Sequence, residues 1–99
     1  MASLGYDDEA LEDVARLAQC LFVSEPTAVH DTLGLIRDAI NILQAHPLIG
    51  RPVRGDLREL VISQGATGYI ALYGYSPIPE HVQVHRIRHQ REAGFEDDE

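Results

Sequence analysis

The chain of 99 residues has no lysine and no tryptophan, and it holds one cysteine, Cys20. A lone cysteine excludes an internal disulfide, and no cysteine, histidine or carboxylate set has the spacing of a zinc or other metal site. On a helical wheel Cys20 falls opposite the apolar stripe, as expected for an inert, semi-exposed thiol. No apolar run approaches the roughly 20 residues that a membrane span requires. The first residues, Met1-Ala2-Ser3-Leu4-Gly5-Tyr6-Asp7-Asp8, lack the basic-then-apolar order of a signal peptide, so the expected address is the cytoplasm. No glycine-rich phosphate loop is present, and no cofactor is expected.

What is present is a large excess of acid, distributed unevenly. Net charge is −8. Residues 1–50 hold eight acids against Arg16 and Arg37, for −6, whereas residues 51–91 hold six arginines against Asp56, Glu59 and Glu80, for +3. The segment from Glu92 to Glu99 adds five acids and no base. Such a chain is a poor general binder of phosphate backbones, which depends on many Lys/Arg contacts and on the counterions they release. An anionic partner must meet the local arginine-rich stretch, Arg86 to Arg91.

Size allows one domain with a single modest core, expected over residues 1–95 with an acidic tail at 96–99. Leu11, Val14, Ala15, Ala18, Leu21 and Phe22 recur at helical spacing behind Asp7 or Asp8 as the helix cap, with acids gathered in the first turn. Ser24-Glu25-Pro26 stops this helix and starts another, with Ser24 as its cap. Val29, Leu33, Ile36, Ile40 and Leu43 mark the second helix, whose stripe is widened by Leu35, Ala39 and Ile42. The short link makes the two an antiparallel hairpin. His46-Pro47-Leu48-Ile49-Gly50-Arg51-Pro52 ends the helical half. Three strands follow: Leu57 to Ser63, Thr67 to Tyr75, and about His81 to His89. Gln64-Gly65-Ala66 joins the first two as a hairpin. Residues 2–6 can add a short edge strand. The expected fold is α+β, an antiparallel helical hairpin on a small, mainly antiparallel sheet in the order (β)ααβββ.

In the middle strand Ile70 and Leu72 alternate with Tyr69, Ala71, Tyr73 and Tyr75. If the aliphatics meet the helices, three tyrosines line the opposite face. In the last strand Val82 and Val84 share a face that Ile87 leaves, so either a bulge re-aims the chain or the strand end is not packed on the helices.

The segments Ala39-Ile40-Asn41-Ile42-Leu43-Gln44-Ala45-His46-Pro47-Leu48-Ile49-Gly50-Arg51-Pro52, Leu57-Arg58-Glu59-Leu60-Val61-Ile62, Thr67-Gly68-Tyr69-Ile70-Ala71-Leu72-Tyr73 and Ile87-Arg88-His89-Gln90-Arg91-Glu92 together resemble the RelE/ParE toxin superfamily. The similarity is greatest to its ParE, or plasmid-stabilisation, branch, and it spans about residues 6 to 95. It implies the toxin half of a bacterial type II toxin-antitoxin pair, neutralised by a cognate antitoxin that wraps helices and sheet. Leu17, Leu35 and Ile42 are the helix positions expected to meet it.

Two targets follow from the resemblance: DNA gyrase for ParE-like members, and messenger RNA on the ribosome for RelE-like members. Metal-independent RNA cleavage needs a base for the ribose hydroxyl, an acid for the leaving oxygen and cations over the phosphate. The candidates are His85, His89, Tyr73, Arg58 and Arg88. Lysines typical of the nuclease branch are absent, however, and Phe95 stands where the family's C-terminal tyrosine would be. A gyrase poison asks only for a shaped surface, for which Arg58, Tyr73, Arg86, Arg88 and Arg91 are candidates. A third reading is an inactive relative that only binds its antitoxin. For single residues a structural role competes throughout: the tyrosines as sheet cover, and the arginines as partners of Glu59 or Glu92.

Overall fold

The computed structural model describes residues 1–64 and 67–90. Its elements run β1 (Ser3–Tyr6), α1 (Asp8–Ser24), a 3-10 turn (Pro26–Ala28), α2 (Val29–Asn41), a second 3-10 turn (Ile42–Gln44), β2 (Arg51–Arg54), β3 (Leu57–Gln64), β4 (Thr67–Pro77) and β5 (Glu80–His89). The five strands form one sheet in the order β1-β5-β4-β3-β2, antiparallel except where β1 runs parallel to β5. The helical hairpin covers one face. This is the expected α+β architecture, with the short first strand present and one strand added. β2 turns into β3 through Gly55-Asp56, where Gly55 takes a φ of +56° that favours glycine.

The core joins Ile36, Ile40 and Leu43 of the second helical segment and Ala10 and Leu17 of α1 to Tyr69, Ala71, Tyr73, Val82, Val84 and Ile87 of the sheet. The α2 stripe follows its spacing at Ile36, Ile40 and Leu43, whereas Ile42 is exposed and Thr32 is buried. The α1 stripe is rotated: Ala10, Asp13 and Leu17 are buried, whereas Leu11 and Phe22 are exposed. The cause is Asp13, an acid on the inward face whose carboxylate has partners there, so the most apolar wheel arc and the buried arc do not coincide. Ser24 closes α1 instead of capping the next helix; its hydroxyl donates to the Cys20 carbonyl at 2.9 Å.

In β4 the aliphatics do not meet the helices, so the tyrosines do not line the opposite face. Tyr69 and Tyr73 are buried against the helices, while Ile70 and Leu72 are half-exposed on the open face. A wide aromatic ring spans the gap to a helix layer that small neighbours such as Ala71 leave open, and this outweighs the aliphatic alternation. In β5 the bulge is real. Leu72 opposes Arg86 but Tyr73 opposes Val84, so His85 is the extra residue and both Val84 and Ile87 reach the core.

Candidate functional site

Sheet register divides the candidate residues between two faces. Arg58 opposes Tyr73 and His89 opposes Tyr69, all on the helix side, whereas Arg88 opposes Ile70 on the open side. His85 is also on the open side: a side chain on Gly74 would place its Cβ 3.4 Å from His85 Nε2.

On the covered side the polar groups are bound to backbone. The Tyr73 hydroxyl donates to the Pro47 carbonyl at 2.7 Å and accepts the Gly50 N–H at 2.9 Å. Burial pushes its pKa up, opposed by that N–H and by Arg58. Arg58 Nη1 donates to the Leu48 carbonyl at 3.1 Å and the Gly50 carbonyl at 2.7 Å. His89 stacks edge-on against Tyr69, with centroids 5.2 Å apart and planes at 85°.

At the outer edge of β5 a single carboxylate does the work of a missing strand. β1 covers β5 only as far as Val84, where Asp7 N–H continues the ladder to the Val84 carbonyl at 2.8 Å. Beyond it, Asp13 Oδ2 of α1 accepts the Ile87 N–H at 2.9 Å and Arg86 Nε at 2.8 Å. Burial raises the Asp13 pKa, but Arg86, the Ile87 amide and Arg16 together outweigh it and hold the carboxyl below its ordinary range.

The open side carries a hydrogen-bonded row along β5 and β1. Ser3 Oγ lies 2.7 Å from His81 Nδ1, and His81 Nε2 lies 2.7 Å from Gln83 Oε1. Gln83 Nε2 donates to Asp7 Oδ1 at 2.6 Å, and Asp7 Oδ2 lies 2.7 Å from His85 Nδ1. The hydrogen bond from His85, then that from Gln83, lowers the Asp7 pKa. Gly5 underlies the row, since a Cβ there would approach Gln83 Oε1 to 2.6 Å. Asp7 precedes α1 as the spacing suggests, yet its carboxylate makes no capping bond because it is spent on Gln83 and His85.

Of the helix positions expected to meet a partner, Leu17 is inside the core at 4 % exposure, Leu35 is half-buried against it, and Ile42 is 49 % exposed. Arg91, Phe95 and the acidic tail lie outside the described residues. Asp13 and Gln83 were not singled out from the sequence, and Asp7 was expected only as a helix cap. The alternation His81, Gln83, His85 was a legible signal, as was an acid at the i+3 position between Ala10 and Leu17. Among the described residues no group of three His, Cys, Asp or Glu side chains could hold a metal ion, and no helix is long and apolar enough to cross a membrane.

A two-helix hairpin on one face of a five-stranded sheet, with the other face open and carrying both a polar row and half-exposed aliphatics, defines a small α+β protein. The match to known proteins gives the family. Residues 4–94 match the model described as the ParE toxin of the type II toxin-antitoxin system parDE. The chain is 33 % identical over 92 residues to Toxin RelE3 of Caulobacter vibrioides, covering 93 % of this chain and 98 % of that one. Its fold matches the structure titled "Chromosomal ParDE TA system from P. aeruginosa" with a TM-score of 0.73 at 22 % identity, over 89 % of this chain and 95 % of that one. The chain belongs to the ParE toxin family, within the ParE/RelE superfamily of type II toxin-antitoxin toxins.

Proposed function

We propose that this toxin acts by binding and poisoning DNA gyrase in the bacterial cytoplasm, as a plasmid-stabilisation or chromosomal module held in check by its cognate antitoxin. The observation that carries the reading is the division of the nuclease candidates by the sheet. Tyr73, Arg58 and His89 are on one side, His85 and Arg88 on the other. General acid-base cleavage needs its proton donor, acceptor and phosphate clamp within hydrogen-bond reach of one substrate. The Tyr73 hydroxyl is buried and already holds two backbone partners, so it has no proton to offer a substrate. Gyrase as the target comes from the ParE resemblance. The half-exposed helix positions Leu35 and Ile42 are the antitoxin-facing surface in this reading, and Arg88 is the arginine offered to the target, since Arg86 is engaged by Asp13.

The test is induction of the toxin alone in growing bacteria, with labelled thymidine and labelled methionine followed over the first minutes. Early loss of thymidine incorporation with translation maintained is the expected result. A first fall in methionine incorporation selects messenger RNA cleavage instead, with His85, oriented by Asp7, as the group to mutate. Soluble folded toxin that changes neither is an inactive partner-binding relative.

A further inference from the structure

The turn between α2 and β2 displays apolar side chains on a backbone that has little freedom. The carbonyls of Pro47, Leu48 and Gly50 and the N–H of Gly50 are all taken by Tyr73 and Arg58. Ile49 N–H bonds the His46 carbonyl at 3.3 Å, and His46 N–H bonds the Ile42 carbonyl at 2.9 Å. A Cβ on Gly50 would come within 2.5 Å of the Tyr73 hydroxyl and 2.8 Å of the Glu59 carbonyl, so the close approach needs glycine. With its polar groups turned inward, the turn points Leu48 and Ile49 outward at 58 % and 53 % exposure, with exposed Ile42 just upstream. One exposed aliphatic is ordinary surface. Two adjacent ones on a turn fixed by a buried tyrosine are a preorganised anchor, which loses little further entropy when a partner closes on it.

Charge states what kind of partner fits. The turn leads into Arg51, Arg54 and Arg58, opposed by Asp56 and by a Glu59 that is buried and engaged with Arg51. The half of the chain that precedes it carries −6. An acidic surface is therefore repelled from the helices and drawn to this corner. α1 shows a second apolar strip, Leu11, Phe22 and Val23, and its neighbours Asp8, Glu9 and Glu12 suit a cationic partner instead.

We propose that Leu48 and Ile49, guided by Arg54, are the anchor by which the toxin docks on its protein target, a surface with an aliphatic pocket edged by carboxylates. The proposal rests on the reading of the chain as a binding toxin. It leaves the antitoxin to other surfaces.

The test compares Leu48→Ser/Ile49→Ser with the wild-type chain, and with each single substitution in case the pair folds poorly. Growth arrest on induction and co-purification with the cognate antitoxin are read in parallel. The expected result is at least a tenfold recovery of colony-forming cells with antitoxin capture unchanged, and a smaller recovery for Arg54→Glu. Full arrest by the double variant overturns the assignment. So does loss of antitoxin capture together with arrest, which gives the turn to the antitoxin. Full recovery with Arg54→Glu alone, against none with the aliphatic variants, points to a nucleic-acid contact and also overturns it. A wild-type chain that arrests nothing removes the toxin reading itself, and the anchor with it.

Discussion

The two faces of the sheet use the same residue types for opposite ends. On the covered face Tyr73 and Arg58 turn their polar atoms to the 47–50 backbone, and Asp13 stands in for a strand at the β5 edge. On the open face Ser3, His81, Gln83, Asp7 and His85 bond to one another above the sheet, beside half-exposed Ile70 and Leu72. Polar groups on the covered face have no water to replace a lost partner, so they carry stability. Those on the open face exchange protein partners for water at small net cost. A tyrosine, histidine or arginine in a sequence motif therefore says little about function until its face is known.

The largest expected effect breaks the covered side within the helix layer. Leu17→Ala should lower stability by about 3 kcal/mol, within the range for a large-to-small change in a core. Ile42→Ala, at a position expected from its spacing to be equivalent, should stay within about 0.5 kcal/mol. Chemical denaturation of both variants measures the contrast, and equal losses would refute the division into buried and surface-facing helix positions. Next is Asp13→Leu. It strands the Ile87 N–H and the Arg86 guanidinium, at a cost of about 2 to 3 kcal/mol. Faster amide hydrogen exchange at Ile87 should accompany the loss, because no strand covers that edge. Tyr73→Phe keeps the ring and removes only the hydroxyl, leaving the Pro47 carbonyl and Gly50 N–H without it. About 1 to 2 kcal/mol is expected, with exchange at Gly50 accelerated and the sheet amides protected as before.

These differences show which parts of the molecule its sequence discloses. The α2 stripe was legible because Ile36, Ile40 and Leu43 are apolar at helical spacing and no charged residue falls on that face, where the one buried polar side chain is Thr32. The α1 stripe was not, because its inward arc contains Asp13, and periodicity counts only apolar residues. The β5 bulge was visible as a break in alternation between Val84 and Ile87, which a flat strand cannot reconcile. β2 escaped notice as a separate strand because four residues that include Pro52 have little strand character; β3 and the Gly55 turn hold them in place. The orientation of β4 was not legible, since alternation defines two faces but not which of them the helices cover. Tyr73, Arg58 and His85 were candidates by residue type, and which of them share a face follows from that orientation.

Acid should sharpen the same comparison at its smallest scale, through two carboxylates at either end of one helical turn and a half. Asp7 and Asp13 are both held below the ordinary carboxyl range. A carboxyl whose folded pKa is depressed adds stability that is complete above its unfolded pKa, near 3.9, and is lost as pH falls through the folded value. The melting temperature should therefore drop below about pH 4, and the two groups should contribute unequally. Asp13 is enclosed and bound by a guanidinium and a backbone amide, so Asp13→Leu should flatten most of that acid-linked fall. Asp7 is open to solvent, where water and salt screen its pairing with His85. His85→Gln should thus move the melting temperature at pH 7 by no more than about 2 °C, and by less still in 1 M salt. A larger shift would mean that the open-face row holds β1 against β5 and is part of the framework. A shift within that bound leaves the row's side chains free to exchange their mutual bonds for those of a bound partner.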